Sequence, residues 1–200
     1  MTVCGSKMTS KDWNDLWQDK ETLLLWSKPD HDVEKLVPRL RHENITRVLD
    51  LGFGLGRHVV LLAREVFDTY GIEGSKSGVD HCRKWLEVEG LQATISQSDM
   101  STIPYTDGFF DLVLSWNVIY HANLEKMRTV LREIQRVTRD DGLLYLTLNS
   151  TRNKFYGKGT EMEPGTFKNP EKQDGEHPHH YSDEKEVRRL LKDWRIISIK

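Results

Sequence analysis

The chain has 200 residues and a mass of 23.3 kDa, which predicts a single domain large enough to bury a core. Its 29 Lys and Arg residues do not exceed its 31 Asp and Glu residues, so a general nucleic-acid binder is disfavoured. No stretch approaches the about 18 consecutive apolar residues of a membrane span, and residues 1–11 lack the apolar core of a signal peptide. We therefore expect a cytoplasmic protein without a membrane partner, and the two cysteines, Cys4 and Cys82, suffice for no disulfide framework.

Apolar residues recur at helical spacing within residues 1–44. Two groups show this spacing, and they predict two helices, the second capped by Asp30 or Asp32. The first group is Trp13, Leu16, Trp17 and Leu24, and the second is Val33, Leu36, Val37 and Leu40.

Strand and helix patterns alternate through residues 45–150. The predicted strands cover residues 46–51, 69–73, 92–96, 109–116 and 143–148, and a turn at Asp141 and Gly142 precedes the last of them. Several of these strands are apolar on both faces, and helical patterns separate most of them. The alternation predicts an α/β fold, a doubly wound and mostly parallel sheet with helices on both faces.

Residues 151–181 interrupt this alternation with glycines and prolines among charged residues. Because connections in compact domains usually span about 4–6 residues, such a segment predicts a lid or an irregular loop. Residues 182–200 then predict a final helix followed by a strand over residues 195–199.

Gly52, Gly54 and Gly56 lie between the first predicted strand and the helix that follows it. Glycine allows positive φ and lets a ligand approach the backbone, and the free amides at a helix start favour a negative group. We expect a carboxylate or phosphate of a ligand there, although tight packing alone also explains such a turn.

Acidic residues follow the next two strands. Glu73 can accept hydrogen bonds from both hydroxyls of a ribose, while Asp99 can accept from an exocyclic amine and Met100 can flank a purine. Because the carboxyl ends of parallel strands share one edge, these residues predict one nucleoside-bearing ligand. A dinucleotide motif needs a third glycine where Arg57 stands, which makes an NAD-dependent oxidoreductase a lesser alternative.

The segment Val-Leu-Asp-Leu-Gly-Phe-Gly-Leu-Gly-Arg-His at residues 48–58 resembles the first motif of the class I, seven-stranded S-adenosylmethionine-dependent methyltransferases. The similarity continues through the acids named above and through residues 107–115 and 140–144. The resemblance is to the small-molecule type, including the tellurite-resistance and ubiquinone-biosynthesis groups. It implies a Rossmann-like fold, one methyltransferase domain over residues 1–200 and S-adenosyl-L-methionine as the cofactor.

The resemblance also implies which residues hold that cofactor. The glycines hold the methionine moiety, Glu73 holds the ribose, and Asp99 with Met100 holds the adenine. Phe53, where the family often has Cys, and Gly74, after the ribose acid, depart from the family pattern. The implied set is Asp50, Gly52, Gly54, Gly56, Glu73, Gly74, Asp99, Met100, Ser115 and Trp116.

The acceptor is less well marked in the sequence. Family enzymes that methylate base or amide amino groups tend to carry an Asn/Asp-Pro-Pro-aromatic motif after the fourth strand, and its absence favours a small-molecule acceptor. His121 is the predicted general base, with Tyr120 beside it, because the pKa of imidazole lies near neutrality. Trp26 is a candidate partner of the sulfonium, and His180 and Tyr181 are candidate acceptor contacts from the lid.

Clustered histidines and Glu176 in residues 176–180 are compatible with a metal, but Pro178 and the lack of helical spacing disfavour it, so no metal is predicted. The predicted function is methyl transfer from S-adenosylmethionine to a small molecule. A non-catalytic S-adenosylmethionine-binding sensor is the main alternative. The family fold closes with a hairpin, so the sequence implies either a truncated chain or a sheet one strand short; the oligomeric state is not predicted.

Overall fold

The computed structural model describes residues 10–18, 20–169, 174 and 177–200. Predictions that concern Cys4 and Glu176 lie outside these residues. The chain divides into two compact units, of which the first comprises Met1–Trp116 with Glu133–Leu146 and the second Asn117–Arg132 with Thr147–Lys200. No helix in the described ranges is both long enough and apolar enough to cross a membrane.

A parallel sheet is the framework of the first unit. Among the described residues its order is β3-β2-β1-β4-β5, and every neighbouring pair runs parallel. The doubly wound, mostly parallel sheet that the alternation predicts is therefore confirmed. The strands are Arg47–Leu51 (β1), Asp68–Glu73 (β2), Thr94–Gln97 (β3), Phe110–Ser115 (β4) and Thr138–Leu146 (β5). The helices are Ser10–Leu16 (α1), Lys20–Leu25 (α2), His31–His42 (α3), Arg57–Arg64 (α4), Lys76–Glu89 (α5) and Leu124–Val137 (α6), the last of which runs through both units.

Two apolar clusters hold the helices of the first unit in place. In one, Val33 and Val37 of α3 pack with Val48 of β1, and in the other Val59 of α4 packs with Cys82 of α5. Burial raises the pKa of the Cys82 thiol to about 12, so this cysteine is a packing residue and not a reactive one. Helices α3, α4 and α5 are thus held in place by apolar contacts that need no ligand.

The second unit contains a small mixed sheet. Described residues of the segment 151–181 form strands, where the sequence predicted a lid or irregular loop. The sequence pattern missed these strands because their β-branched and aromatic runs are too short to stand out among charged neighbours. The role of this segment as a lid stays a prediction. The order in the described residues is β6-β9-β8-β7. These strands are Asn149–Ser150 (β6), Thr160–Glu163 (β7), Thr166–Lys168 (β8) and His179–Ser182 (β9), and helix Glu184–Leu190 (α7) follows.

Three local predictions are wrong. The expected final strand is irregular, with Ile197 56% and Ile199 46% exposed, because β-branched residues form a strand only where an edge pairs with them. The first predicted helix is divided, since a turn that includes Trp17 separates α1 from α2. The turn at Asp141 lies within β5 as an irregularity with a positive φ of 61°, so β5 begins earlier than expected.

Gly56 is required by close packing as well as by its backbone. Its φ is 90°, and a Cβ added there would lie 2.3 Å from Cys82 Sγ. Gly90, which ends α5, has a φ of 65° but no atom within 4 Å of an added Cβ. A side chain at Gly90 would therefore meet backbone strain alone, whereas one at Gly56 would meet backbone strain and a steric clash.

We predict that Gly90→Ala lowers the free energy of unfolding by about 1–2 kcal/mol through strain alone. Gly56→Ala loses a further amount of about 1–3 kcal/mol because the methyl group overpacks the α4–α5 contact. Urea denaturation of both variants measures the difference. Equal losses at the two positions would contradict the packing argument.

Candidate active site

The glycine turn connects β1 to α4. Gly52, Gly54 and Gly56 all have positive φ, at 73°, 58° and 90°. The Gly52 amide donates to the Ile72 carbonyl at 2.7 Å, which ties the turn to the end of β2. The sequence prediction of a strand, a glycine turn and a helix is confirmed, and the turn lies at the carboxyl edge of the sheet.

Asp50 is a buried carboxylate just before this turn, with an exposure of 1%. It accepts a hydrogen bond from the Val59 amide, so it caps α4 from the preceding strand where Gly56 has no side chain to do so. Its Oδ2 atom has no hydrogen-bond partner among the described residues. Burial raises the pKa of Asp50 to about 7, against the opposing charge of Arg57.

Glu73, at the end of β2, holds the turn from the other side. Its Oε2 accepts from the Gly54 amide at 2.9 Å, and its Oε1 accepts from the Ser75 amide at 2.8 Å. Burial raises the pKa of this carboxyl, and the amide hydrogen bonds oppose the rise. The Gly74 amide also bonds to this carboxylate, and since a carboxylate has about four acceptor sites, one remains for the predicted contact with a ribose.

Trp17 is a residue of this site that sequence reasoning missed. A Cβ on Gly54 would lie 2.9 Å from Cζ2 of the Trp17 indole, so the ring covers the turn. Trp13 stacks on Trp17 with ring centroids 5.8 Å apart. The signal was present in the helical spacing of these tryptophans, but spacing alone indicates a packed face and does not identify the partner.

Helix α1, which carries Trp13, is tied to the start of α5. The Ser77 amide donates to Asn14 Oδ1 at 2.9 Å, and the Ser77 hydroxyl donates to the Asn14 carbonyl at 3.0 Å. Because Ser75 caps α5 through a 3.0 Å hydrogen bond from the Gly78 amide, these contacts place α1 beside the residues that follow Glu73.

Trp26 lies in the same unit, but a cation already occupies one face of its ring. The Arg57 guanidinium carbon is 4.7 Å from the Trp26 ring centroid, and Trp17 contacts Trp26 edge-on at 6.3 Å. The role of Trp26 beside a sulfonium stays a prediction, and any such contact must use the part of the ring that Arg57 does not cover.

The predicted adenine residues follow β3. Asp99 is exposed and accepts from the Ser101 amide at 2.7 Å, so it shapes its own turn, and Met100 is half-buried. The Gly74 carbonyl accepts from the Gln97 side chain at 3.1 Å, which joins the ends of β2 and β3. The carboxyl edge thus brings these residues to neighbouring strand ends, and their contacts with adenine stay a prediction.

Ser115 and Trp116 lie at the end of β4. Ser115 is fully buried and donates to the Leu51 carbonyl at 3.4 Å, close to the first glycine. Trp116 stacks on Tyr145 with ring centroids 5.2 Å apart and meets His58 edge-on at 6.4 Å. Both residues therefore contribute to packing of the first unit, and their contact with the cofactor stays a prediction.

The predicted acceptor residues belong to the second unit. Tyr120 and His121 have ring centroids 4.4 Å apart in the segment before α6. His180 is 1% exposed, and its ring nitrogens lie 2.7 Å from the Thr166 hydroxyl and 3.0 Å from Glu186 Oε2. Tyr181 is also buried. His180 and Tyr181 therefore contribute to packing of the small sheet, and their contact with an acceptor stays a prediction.

An open parallel sheet with a glycine turn after β1 and a carboxylate at the end of β2 defines the Rossmann-like class of nucleoside-cofactor proteins. Residues 48–142 match the family described as methyltransferase domain. The chain is therefore similar to methyltransferases over residues 48–142, as the sequence motifs indicate, and this similarity implies S-adenosylmethionine as the cofactor.

Relatives support this assignment at modest identity. The chain is 32% identical over 114 residues to methyltransferase GfsG of Streptomyces halstedii, covering 56% of this chain and 40% of that one. It is 26% identical over 101 residues to the uncharacterized methyltransferase YcgJ of Bacillus subtilis, covering 50% of this chain and 39% of the relative. The chain thus spans about 40% of the length of these curated relatives.

A solved structure shares the fold. It is that of an S-adenosylmethionine-dependent methyltransferase from Clostridium acetobutylicum, with a TM-score of 0.66 and 15% identity. The similarity covers 85% of this chain and 82% of that one. Identity at this level shows a common architecture and leaves the residues of each site to be argued from this chain.

The residues of the glycine turn fit S-adenosylmethionine. Asp50 offers a buried carboxylate oxygen that accepts no hydrogen bond from the described residues, which suits the ammonium of the methionyl moiety directly or through water. Glu73 offers the remaining acceptor site of its carboxylate to the ribose. The amides of Gly52, Gly54 and Gly56 already donate within the chain, so the expected binding of a carboxylate to these glycine amides is not supported. The pair of acids suits the ammonium and the sugar of one molecule.

We predict that affinity for S-adenosylhomocysteine rises with pH up to the pKa of Asp50, which is about 7. Below this pKa the carboxyl is neutral and must lose a proton before it attracts an ammonium, so affinity falls up to about tenfold per pH unit. Calorimetry at several pH values measures the slope.

Asp50→Asn is expected to bind more weakly and to remove this pH dependence. Asp80→Asn, which changes an aspartate of α5 that pairs with Lys76, is the matched control and retains the wild-type slope. A slope that persists in Asp50→Asn would assign the titration to another group.

Proposed function

We propose that this protein transfers a methyl group from S-adenosylmethionine to a small-molecule acceptor by in-line displacement. The observation that carries the proposal is the pair of buried acids at the glycine turn. Asp50 has an oxygen that accepts no hydrogen bond from the described part of the chain, and Glu73 joins the Gly54 amide of the turn to the Ser75 amide at the start of α5. A sheet edge built for packing alone does not require two buried carboxylates, because burial without a partner is costly.

S-adenosylmethionine supplies a methyl group on a sulfonium, which is already activated for displacement. The chain therefore needs mainly to hold the donor and the acceptor in line and to exclude water. Asp50 and Glu73 orient the two polar ends of the donor, and the Trp17 indole lies against Gly54 of the turn. No proton transfer is required of these residues.

A small acceptor is favoured by the sequence that follows β4. From the last residue of β4 the chain reads Ser115-Trp116-Asn117-Val118, which lacks the Asn/Asp-Pro-Pro-aromatic motif typical of enzymes that methylate base or amide amino groups. The nearly balanced charge of the chain likewise gives no basic excess for a nucleic-acid substrate.

The activity is tested by incubating the protein with S-adenosylmethionine and a panel of small alcohols, phenols, amines and thiols, while S-adenosylhomocysteine formation is measured. Product that depends on both the protein and one acceptor class supports the proposal. Tight cofactor binding with no product across the panel would favour the sensor. A thermal shift with NADH and none with S-adenosylhomocysteine would favour the oxidoreductase.

We predict that Glu73→Gln weakens S-adenosylhomocysteine binding by about 1–3 kcal/mol, because the ribose loses a charged acceptor. Calorimetry measures the affinity, and circular dichroism checks that the turn and α5 remain folded. Glu89→Gln is the control, since Glu89 lies on α5 and bonds to Arg64 and Trp85 instead. An unchanged affinity in Glu73→Gln would remove this residue from the site.

A further inference from the structure

Three ionisable side chains converge within the second unit. His121 precedes α6, Asp174 lies in the segment before β9, and His179 begins β9. We call these three residues the His121–Asp174–His179 cluster. Their side chains are 8%, 20% and 1% exposed, so two imidazoles and a carboxylate share a largely buried space. Burying such groups is costly unless they bind one another or a cation.

Backbone hydrogen bonds hold the cluster together. The His180 amide donates to the Tyr120 carbonyl at 2.9 Å, which joins β9 to the segment that carries His121. The His177 amide donates to the Asp174 carbonyl at 2.9 Å and closes the turn that brings Asp174 toward His179. The positions of the three side chains are therefore set by the backbone of one unit and do not depend on long flexible side chains.

The distances suit a metal ion. Asp174 Oδ2 lies 3.0 Å from His179 Nε2 and 3.4 Å from His121 Nδ1. One potential ligand atom from each of the three residues lies within 4.8 Å of the other two. Ligand atoms about 2.0–2.2 Å from a tetrahedral zinc ion lie roughly 3.4 Å apart. Small adjustments of the three side chains place them around one ion.

The tautomer of His179 gives a second reason to expect a metal ion in the cluster. Its Nδ1 atom lies 3.0 Å from the His177 carbonyl oxygen, which only accepts, so Nδ1 carries the proton. In a neutral ring Nε2 then presents a lone pair to Asp174 Oδ2, which also only accepts. A metal ion between the two atoms resolves this conflict, as does a second proton on the ring, and the test below distinguishes the two. An imidazole that donates its other N–H to a backbone carbonyl is the usual arrangement in metal sites.

We propose that His121, Asp174 and His179 bind a divalent transition-metal ion of the zinc type. Two imidazoles and one carboxylate suit zinc and its neighbours, whereas magnesium and calcium prefer sites made of oxygen ligands. Three protein ligands leave a fourth position open for water or an oxygen donor. All three ligands belong to the second unit, and the inferred metal site does not rest on the proposed methyl transfer.

This site differs from the sequence prediction in two ways. The sequence favoured no metal, since Pro178 and the lack of helical spacing argue against a site in residues 176–180. The cluster takes only His179 from that segment and adds His121, which is more than fifty residues away, and Asp174, which no motif marks. Nδ1 of His121 cannot act as the predicted general base while it binds the metal ion proposed here.

The test uses the full chain after its metal has been removed with a chelator. Zinc is titrated by calorimetry, and cobalt is titrated as a probe whose visible absorption reports tetrahedral coordination. We expect one ion per chain, a cobalt spectrum of tetrahedral type and a higher Tm with zinc.

Asp174→Asn, His179→Asn and His121→Asn each remove one ligand, and each is expected to weaken zinc binding more than about 100-fold. Asp174→Asn preserves the shape of the side chain, so it remains informative if a histidine variant fails to fold. Asp193→Asn and His42→Asn remove an exposed aspartate and an exposed histidine and should bind as the wild type does. Circular dichroism in the chelator checks the fold of every variant.

Absence of zinc binding to the wild type would overturn the proposal and indicate that a proton bridges the cluster. Binding that persists in folded Asp174→Asn, or an equal loss in the two control variants, would also overturn it. Stoichiometric binding that fails only in the three ligand variants supports it. None of these readouts depends on methyl transfer, so failure here leaves the proposed function untouched.

Discussion

The Glu73 carboxylate is the contact on which the rest of the first unit's site depends. Its two oxygens accept from the Gly54 and Ser75 amides, so one side chain joins the glycine turn, the end of β2 and the start of α5. Charge-assisted hydrogen bonds of this kind are about twice as strong as neutral ones. The same carboxylate positions the turn and offers its remaining acceptor site to a ligand, so architecture and binding share one group.

Much of the first unit could be predicted from sequence because local rules determine it. Alternating buried strands and helical stripes predict the parallel sheet, and the glycines at Gly52, Gly54 and Gly56 mark a turn that few other residues tolerate. The place of Glu73 at a strand end follows from the same pattern. Its hydrogen bonds to the Gly54 and Ser75 amides do not follow from that pattern. The direction of a side chain at a strand end depends on the neighbouring turn, here the glycine turn.

The rest depended on contacts between distant segments. Trp17 has the spacing of an ordinary packed face, and only the fold shows that it lies against Gly54. Asp174 is one of many acids in a charged segment, and only the pairing of β8 with β9 and the contact with Tyr120 place it near His121. Residues 195–199 show the converse error, in which a strong strand propensity found no partner among the described residues.

Asp50 gives the first unit a link between ligand and scaffold. Its carboxylate holds the Val59 amide at the first turn of α4, while its other oxygen is directed to no described donor. An ammonium at that oxygen keeps the carboxylate ionised and strengthens its hold on the helix. Amide hydrogen exchange at Val59 would then slow whenever a ligand ammonium is bound to Asp50. One backbone proton, in the apolar cluster that Val59 shares with Cys82, therefore reports on ligand binding.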